Sequence, residues 1–196
     1  NNNTLVGDKN AIQGNSNAAI GNQNQIKGDS NTLVGDLNTI AGNNNTALGN
    51  QNTMLGNMNA VNGSLNALRG DSNAVNGNNN QVAGNQNLIN KDNNRVAGNQ
   101  NSVNGNNNTL IGDKNDLTGD LNSVKGSNNS LNGNKNLLAG SNNAVSGDNN
   151  GVGGDSNTVK GSANLVLGDR NALINASNNQ VVGSTNTINN GNNNII

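Results

Sequence analysis

The chain has 196 residues, a net charge of −1, 27 Gly, and no aromatic residue, Cys, Pro or His. By count it contains 58 Asn, and all 11 acidic residues are Asp. The balanced charge gives no argument for a nucleic acid or an anionic membrane as partner. No apolar run approaches the length of a bilayer span, and without Cys there is no disulfide framework.

A seven-residue repeat runs without a gap from residue 1 to residue 175. Its first copies, "NNNTLVG" and "DKNAIQG", share the form [N/D/S]-x-N-x-[V/L/I]-x-G. One extra residue, Ala176, follows, and residues 177–196 carry the degenerate copies "SNNQVVG", "STNTINN" and "GNNNII". Aligned from Gly191, the last copy has Asn193 at position three and Ile195 at position five. This register argues against disorder, and we expect a single repeat domain over residues 1–196.

The composition of each heptad favours a strand and a turn over a helix. A coiled coil needs two apolar positions per heptad, whereas only position five is reliably aliphatic here. Gly ends 24 of the 27 complete copies, and each would cost about 1 kcal/mol relative to Ala in a helix. In a strand, positions three and five point to one side and positions four and six to the other. Gly at position seven then takes a positive φ, and the Asn or Asp after it tolerates the left-handed conformation.

Strands that alternate with corners, with the chain turning in the same direction at every corner, predict an all-β β-solenoid with two parallel sheets. Stacked position-five aliphatics would form internal stripes, and the Asn at position three would form internal ladders. The first predicted ladder residues are Asn3, Asn10, Asn17, Asn24, Asn31 and Asn38. Coils of 14 or 21 residues are both possible, and one aliphatic per strand favours a flat coil of about 14. With 14 residues, only Asp155 and Asp169 would stack directly among the Asp at position one.

The copies "NNNTLVG", "DSNTLVG", "DSNAVNG" and "DSNTVKG" resemble the repeat of the grass ice-recrystallisation-inhibition proteins, the perennial ryegrass type of antifreeze protein. The resemblance covers nearly the whole chain. It implies a left-handed β-roll of about 14 residues per coil, with paired internal Asn ladders and a flat ice-binding side. The heads of trimeric bacterial adhesins are similar rolls, but they lack the Asn at position three of every repeat.

The two sides of a 14-residue coil differ in their outward residues. The side built from even heptads carries long, mobile chains that would disturb ordered water, among them Gln25, Lys27, Arg69, Gln81, Arg95 and Lys125. The odd side carries mainly small residues, and its first four rungs are the most regular. The candidate ice-contacting residues are Thr4, Val6, Ala18, Ile20, Thr32, Val34, Thr46, Leu48, Ala60, Ala74, Ser102 and Thr158. Asp116, Lys160 and a run of Asn interrupt the same side.

The alternative is a structural or adhesive extracellular fibre or stalk. The exposed strand edges of a solenoid favour stacking end to end or association into a homo-oligomer. A spacer predicts two equivalent sides, whereas ice binding predicts one flatter side, and the uneven distribution of Lys and Arg favours ice. The expected partner is therefore an ice surface, or other copies in a fibre, and neither nucleic acid nor a membrane. We expect an extracellular location, with no signal segment in these residues.

Catalysis is not expected, because the chain has no His, Cys, Glu or Tyr to act as acid, base or nucleophile. Neighbouring charges such as Asp8–Lys9 and Asp113–Lys114 fall on predicted turns that face solvent. The residue types at hand predict no cofactor and no metal site.

Overall fold

A computed structural model describes residues 2–196; Asn1, where the first heptad begins, lies outside the described residues. Every strand in the described part has three residues and occupies positions four to six of a heptad. The chain forms two compact units, residues 1–99 and 100–196. Each unit contains one sheet of odd-numbered strands and one of even-numbered strands, all paired in parallel.

In the first unit the odd sheet contains, in spatial order, β1 (Thr4–Val6), β3 (Ala18–Ile20), β5 (Thr32–Val34), β7 (Thr46–Leu48), β9 (Ala60–Asn62), β11 (Ala74–Asn76) and β13 (Leu88–Asn90). The even sheet contains β2 (Ala11–Gln13), β4 (Gln25–Lys27), β6 (Thr39–Ala41), β8 (Thr53–Leu55), β10 (Ala67–Arg69), β12 (Gln81–Ala83) and β14 (Arg95–Ala97).

In the second unit the odd sheet contains β15 (Ser102–Asn104), β17 (Asp116–Thr118), β19 (Ser130–Asn132), β21 (Ala144–Ser146), β23 (Thr158–Lys160), β25 (Ala172–Ile174) and β27 (Thr187–Asn189). The even sheet contains β16 (Thr109–Ile111), β18 (Ser123–Lys125), β20 (Leu137–Ala139), β22 (Gly151–Gly153), β24 (Leu165–Leu167) and β26 (Gln180–Val182).

The strand register confirms the coil of 14 residues. Thr4 lies opposite Ala18, and the same offset repeats at the next rung, where Ala18 lies opposite Thr32. The predicted stack of Asp155 on Asp169 is also present, since the Asp155 N–H donates to Asp169 Oδ1 at 2.8 Å. The all-β solenoid with two parallel sheets is therefore confirmed.

The interior consists of position-five aliphatics flanked by the predicted Asn ladders. Asn31 Nδ2 donates to Asn17 Oδ1 at 3.0 Å and to the Gly42 carbonyl at 2.9 Å. Its own Oδ1 accepts the N–H of Asn45 at 2.9 Å. Among the described residues, no buried side-chain nitrogen or oxygen lacks a hydrogen-bond partner. A buried amide that keeps all its bonds avoids the desolvation penalty, so polar columns can form part of this core.

The six predicted ladder residues all occupy this environment. Asn17, Asn24, Asn31 and Asn38 are buried, and Asn3 and Asn10 are half-buried. The Nδ2 of each donates to a corner carbonyl in the next coil at 2.7–2.9 Å, from Asn3 to Gly14, Asn10 to Gly21, Asn17 to Gly28, Asn24 to Gly35, Asn31 to Gly42 and Asn38 to Gly49.

The corners differ from the sequence prediction in one respect. Gly at position seven has a positive φ as predicted, apart from Gly105, but the left-handed residue is at position two and not the Asn or Asp of position one. Leu37, for example, has φ of 60°. Position one serves as an acceptor instead, as where Asp29 Oδ1 accepts the Asn15 N–H at 2.7 Å. This role explains why Asn, Asp and Ser share that position, because each carries an acceptor oxygen bonded to Cβ or to Cγ.

The predicted register of the last copy is wrong. Asn194, not Asn193, lies on the ladder, since its N–H donates to Asn179 Oδ1 at 2.8 Å. Ile195 pairs with Gln180 at position four and is 83% exposed, so it is not a core residue. The cause is a second one-residue insertion, which lies one coil later at the corner that stacks on the corner containing Ala176. Asn175 Nδ2 bonds Asn190 Oδ1 at 3.1 Å across these two enlarged corners.

Lys91 occupies a position that Gly holds in most other heptads, and its φ is 78°. A left-handed conformation costs a residue with a Cβ about 1–2 kcal/mol. Replacement by Gly removes this cost, but the greater backbone entropy of Gly in the unfolded state offsets part of the gain. We therefore expect Lys91→Gly to stabilise the protein by up to about 1 kcal/mol, seen as a higher urea midpoint. Lys27→Gly is the control, because Lys27 lies in β4 and the change should be destabilising there. A lower midpoint for Lys91→Gly would contradict this interpretation of its φ.

Candidate functional site

The predicted ice-contacting residues occupy outward positions of the odd sheets. In the first unit, positions four and six of β1 to β13 form two parallel columns, which together we name the odd face. One column is Thr4, Ala18, Thr32, Thr46, Ala60, Ala74 and Leu88, and the other is Val6, Ile20, Val34, Leu48, Asn62, Asn76 and Asn90. Ten of the twelve predicted residues therefore share one face.

Backbone hydrogen bonds hold these columns in register. The Thr32 N–H donates to the Asn45 carbonyl at 2.9 Å, and the Gly35 N–H donates to the Ile20 carbonyl at 2.9 Å. Equivalent bonds repeat at each coil, so successive side chains in a column are separated by the strand spacing of about 4.8 Å. The interior ladders brace the same strands from behind. The result is a regular array on a rigid support.

Four consecutive rungs of the odd face expose a column of large aliphatic side chains. Val6 is 55% exposed, Ile20 48%, Val34 40% and Leu48 43%. Beside them the small residues Thr4, Ala18, Thr32 and Thr46 present methyl and hydroxyl groups. A contiguous exposed apolar patch is typical of a surface that contacts a partner.

The other two predicted residues lie in the second unit. Ser102 is on β15 and Thr158 is on β23, and both are half-buried at outward positions of that unit's odd sheet. Three strands separate them, and one of these, β17, places Asp116 next to Ser102. Lys160 is also outward on the same strand as Thr158. The structure therefore does not bring Ser102 and Thr158 together.

The sequence prediction omitted one pair of stacked threonines. Thr39 pairs with Thr53 on the even sheet of the first unit, with Ala41 opposite Leu55. The same Thr signal at position four would have found them. The outward residues Lys27 and Arg69 lie on the neighbouring strands β4 and β10, so this pair is enclosed by long cationic chains.

The two faces of the first unit differ in the charge of their outward side chains. The outward positions of the even strands there carry Lys27, Arg69 and Arg95, and the odd face, as described from Thr4 to Asn90, carries no charged side chain. The first four rungs of this neutral surface present small and aliphatic side chains, whose methyl groups can order water. Fixing a Thr, Val or Ala side chain costs little rotamer entropy, whereas fixing Lys or Arg costs about 1.5–2 kcal/mol.

Within residues 2–196, no three His, Cys, Asp or Glu side chains are grouped as a metal ion would require. The same residues include no helix of the length and apolar character needed to cross a membrane.

Comparison with known proteins gives one family. A family model described as the grass antifreeze beta roll matches the chain twice, over residues 1–91 and 86–168. No curated protein matches the chain. The two family matches together extend from the first heptad to the residue after strand β24, and they include all twelve predicted ice-contacting residues.

Proposed function

Because the chain belongs to the grass antifreeze beta-roll family, it is an ice-binding protein, and we propose that it binds ice through the odd face of residues 2–99. The observation that carries this proposal is the four-rung array of Val6, Ile20, Val34 and Leu48 beside small residues, without a charged group. The alternative of a structural or adhesive fibre is not favoured by the family.

The proposed mechanism is adsorption through many weak contacts made at the same time. An ice surface has no net charge and no protruding group, so a binder cannot rely on one strong contact. The exposed aliphatic side chains order water next to them, and burying their apolar area is favourable by about 25 cal/mol per Å². Thr hydroxyls in register can hydrogen-bond waters that are already part of the lattice. Because the array is rigid, little conformational entropy is lost on adsorption.

We also propose that the chain is not an enzyme, acts outside the cell, and has neither nucleic acid nor membrane as a partner. The lack of His, Cys, Glu and Tyr supports the first point, and the net charge of −1 supports the last. The extracellular location rests on the family, whose antifreeze proteins meet ice outside cells. The second unit contributes no continuous ice-contacting column to this proposal, because Asp116 and Lys160 interrupt its odd sheet.

A charge placed in the centre of the odd face tests the proposed site. Thr32 lies between Ala18 and Thr46, so Thr32→Lys would raise a long cationic chain above the array. We expect about tenfold more protein to be needed for the same inhibition of ice recrystallisation, since about 1.4 kcal/mol of lost binding is a factor of ten. The measurement is ice grain size and crystal shape in dilute solution over a concentration series.

Gln81→Lys is the matched control, because Gln81 is an exposed position-four residue on the even sheet. We expect its activity to equal that of the wild type. Equal losses in the two variants would show that the odd face is the wrong one. Ice that grows with the wild-type chain as it does in buffer alone would overturn the ice-binding function itself.

A further inference from the structure

The even sheet of the second unit exposes an apolar strip that the ice-binding proposal does not use. The outward positions of four neighbouring strands, β20, β22, β24 and β26, carry no charged side chain and one polar side chain, Gln180. Two of the large residues there, Leu137 and Val182, are 62% and 57% exposed. An exposed apolar patch is typical of a surface that contacts a partner. We name this strip the leucine face, and its residues in strand order are Leu137 and Ala139, Gly151 and Gly153, Leu165 and Leu167, and Gln180 and Val182.

The leucine face has a trough at β22, where both outward residues are Gly. This strand, with Gly151 and Gly153, lies between the leucine of β20 and the two leucines of β24. The leucines of β24 lean toward the trough, since Leu165 Cδ1 lies 3.2 Å and Leu167 Cδ2 3.1 Å from where a Cβ would lie on these glycines. A flat crystal surface cannot follow a ridge of leucine beside a strand without side chains. The face therefore fits a partner that has a ridge where this face has a trough.

We propose that the leucine face binds the leucine face of a second copy of the chain, in a symmetric dimer. A two-fold axis that runs parallel to the strands, between β22 and β24, places β24 of one copy on β22 of the other and β26 on β20. Because the axis is a two-fold, every contact occurs twice. In three of the four opposed pairs a large side chain meets a small one. The pairs are Leu165 and Gly151, Leu167 and Gly153, Val182 and Ala139, and Gln180 and Leu137.

The order of residues along the leucine face is what identifies a copy of the same chain as the partner. With the two-fold axis along the line of stacked strands instead, Leu165 would meet Leu167 and Gly151 would meet Gly153. That arrangement leaves a gap above the glycines, whereas well-formed interfaces are packed as closely as protein interiors. With the axis between β22 and β24, the glycines of each copy receive the leucine ridge of the other. Lys125 is outward on β18, at the margin of the face, where its ammonium group stays in solvent.

The size of the leucine face predicts a weak and reversible dimer. Four strands spaced about 4.8 Å apart, each with three residues, make a strip of about 19 Å by 10 Å. A standard stable interface buries about 800 Å² on each partner, which is more than this strip provides. The dimer is a closed pair formed by sheet faces and not a fibre formed by strand edges. All twelve predicted ice-contacting residues lie on odd strands, so the dimer contact uses none of them.

The test is sedimentation velocity of the full chain above the freezing point, over a concentration series that reaches about 1 mM, where even a weak pair associates. We expect the wild type to shift from monomer to dimer along the series. The double variant Leu165→Ala with Leu167→Ala removes the ridge, and Gly151→Leu with Gly153→Leu fills the trough. Each should weaken self-association at least about tenfold, because the first loses buried apolar area and the second blocks the approach of the ridge. Far-UV circular dichroism checks that each variant is folded.

An equimolar mixture of the two double variants is the sharpest arm of the experiment. Every leucine of the filled variant then lies over a Gly or an Ala of the other variant, so we expect the mixture to dimerise although neither variant does so alone. Leu55→Ala is the matched control, since Leu55 is a similarly exposed leucine on the even sheet of the first unit, and it should leave self-association unchanged.

Three outcomes would overturn the inference. A wild type that stays monomeric throughout the series has no such dimer. Self-association that persists in the ridge variant uses another surface. Stronger self-association of the filled variant, or no recovery in the mixture, would show that apolar area and not complementary shape drives the contact. None of these outcomes bears on the ice-binding proposal, which is tested by recrystallisation and by changes on the odd face.

Discussion

Gly35→Ala is expected to destabilise the first unit by at least about 3 kcal/mol, the range reached when backbone strain and a steric clash coincide. Gly35 has φ of +136°, and an added Cβ would lie 2.0 Å from the carbonyl oxygen of Gly49. That carbonyl belongs to the next coil and accepts the Asn38 Nδ2 at 2.8 Å. Moving it away would break the ladder at that rung. Urea denaturation followed by far-UV circular dichroism should show a markedly lower midpoint.

Gly151→Ala is the control for this prediction. Gly151 lies in strand β22 at an outward position, and its added Cβ would approach only the mobile Leu165 Cδ1, at 3.2 Å. Because Gly has the more flexible unfolded state, Ala here should be neutral or stabilising by up to about 1 kcal/mol. A Gly35→Ala protein with a midpoint within error of the wild type would show that the corner can relax, contrary to the geometry.

The alternation within a heptad was enough to predict which side chains face the interior and which face solvent. Asn31 and Leu33 are buried on one side of β5, and Thr32 and Val34 point outward, as positions three to six require. The left-handed corner residue could not be predicted in the same way. Leu37, Met58 and Leu65 have low intrinsic preference for that conformation, and coil-to-coil bonds impose it, such as the Leu37 N–H to the Asn22 carbonyl at 3.0 Å.

The last copy shows a different limit of sequence pattern. "GNNNII" contains three consecutive Asn, so Asn193 and Asn194 fit the ladder position equally well by residue type. Only the corner that stacks Asn190 on Asn175 decides between them. The description of the candidate site depended on both the sequence repeat and the three-dimensional structure. The 14-residue coil let the sequence group ten of the twelve predicted ice-contacting residues on one face, whereas the exposed fractions of Val6, Ile20, Val34 and Leu48 could be obtained only from the structure.

Asn45→Ala is the other change with a large expected effect, because Asn45 is fully buried and takes part in four side-chain hydrogen bonds. Its Nδ2 donates to the Gly56 carbonyl at 2.8 Å and to Asn31 Oδ1 at 3.1 Å. Its Oδ1 accepts the N–H and the Nδ2 of Asn59 at 3.0 and 3.2 Å. Ala would leave buried groups on both neighbouring coils unpaired, at about 1–3 kcal/mol each. We expect a loss of about 3–6 kcal/mol in the free energy of unfolding.

Two comparisons separate the hydrogen bonds of Asn45 from its volume. Asn62→Ala makes the same chemical change on the exposed odd face, and we expect it to alter stability by less than about 0.5 kcal/mol. Asn45→Asp keeps the shape but replaces the donor with an oxygen that faces the Gly56 carbonyl. Burial disfavours the charged carboxylate, and only the protonated acid can donate to that carbonyl. The Asp variant should therefore be less destabilised at acidic than at neutral pH, relative to wild type at each pH. Equal stabilities for Asn45→Ala and Asn62→Ala would mean that the ladder does not hold the coils together.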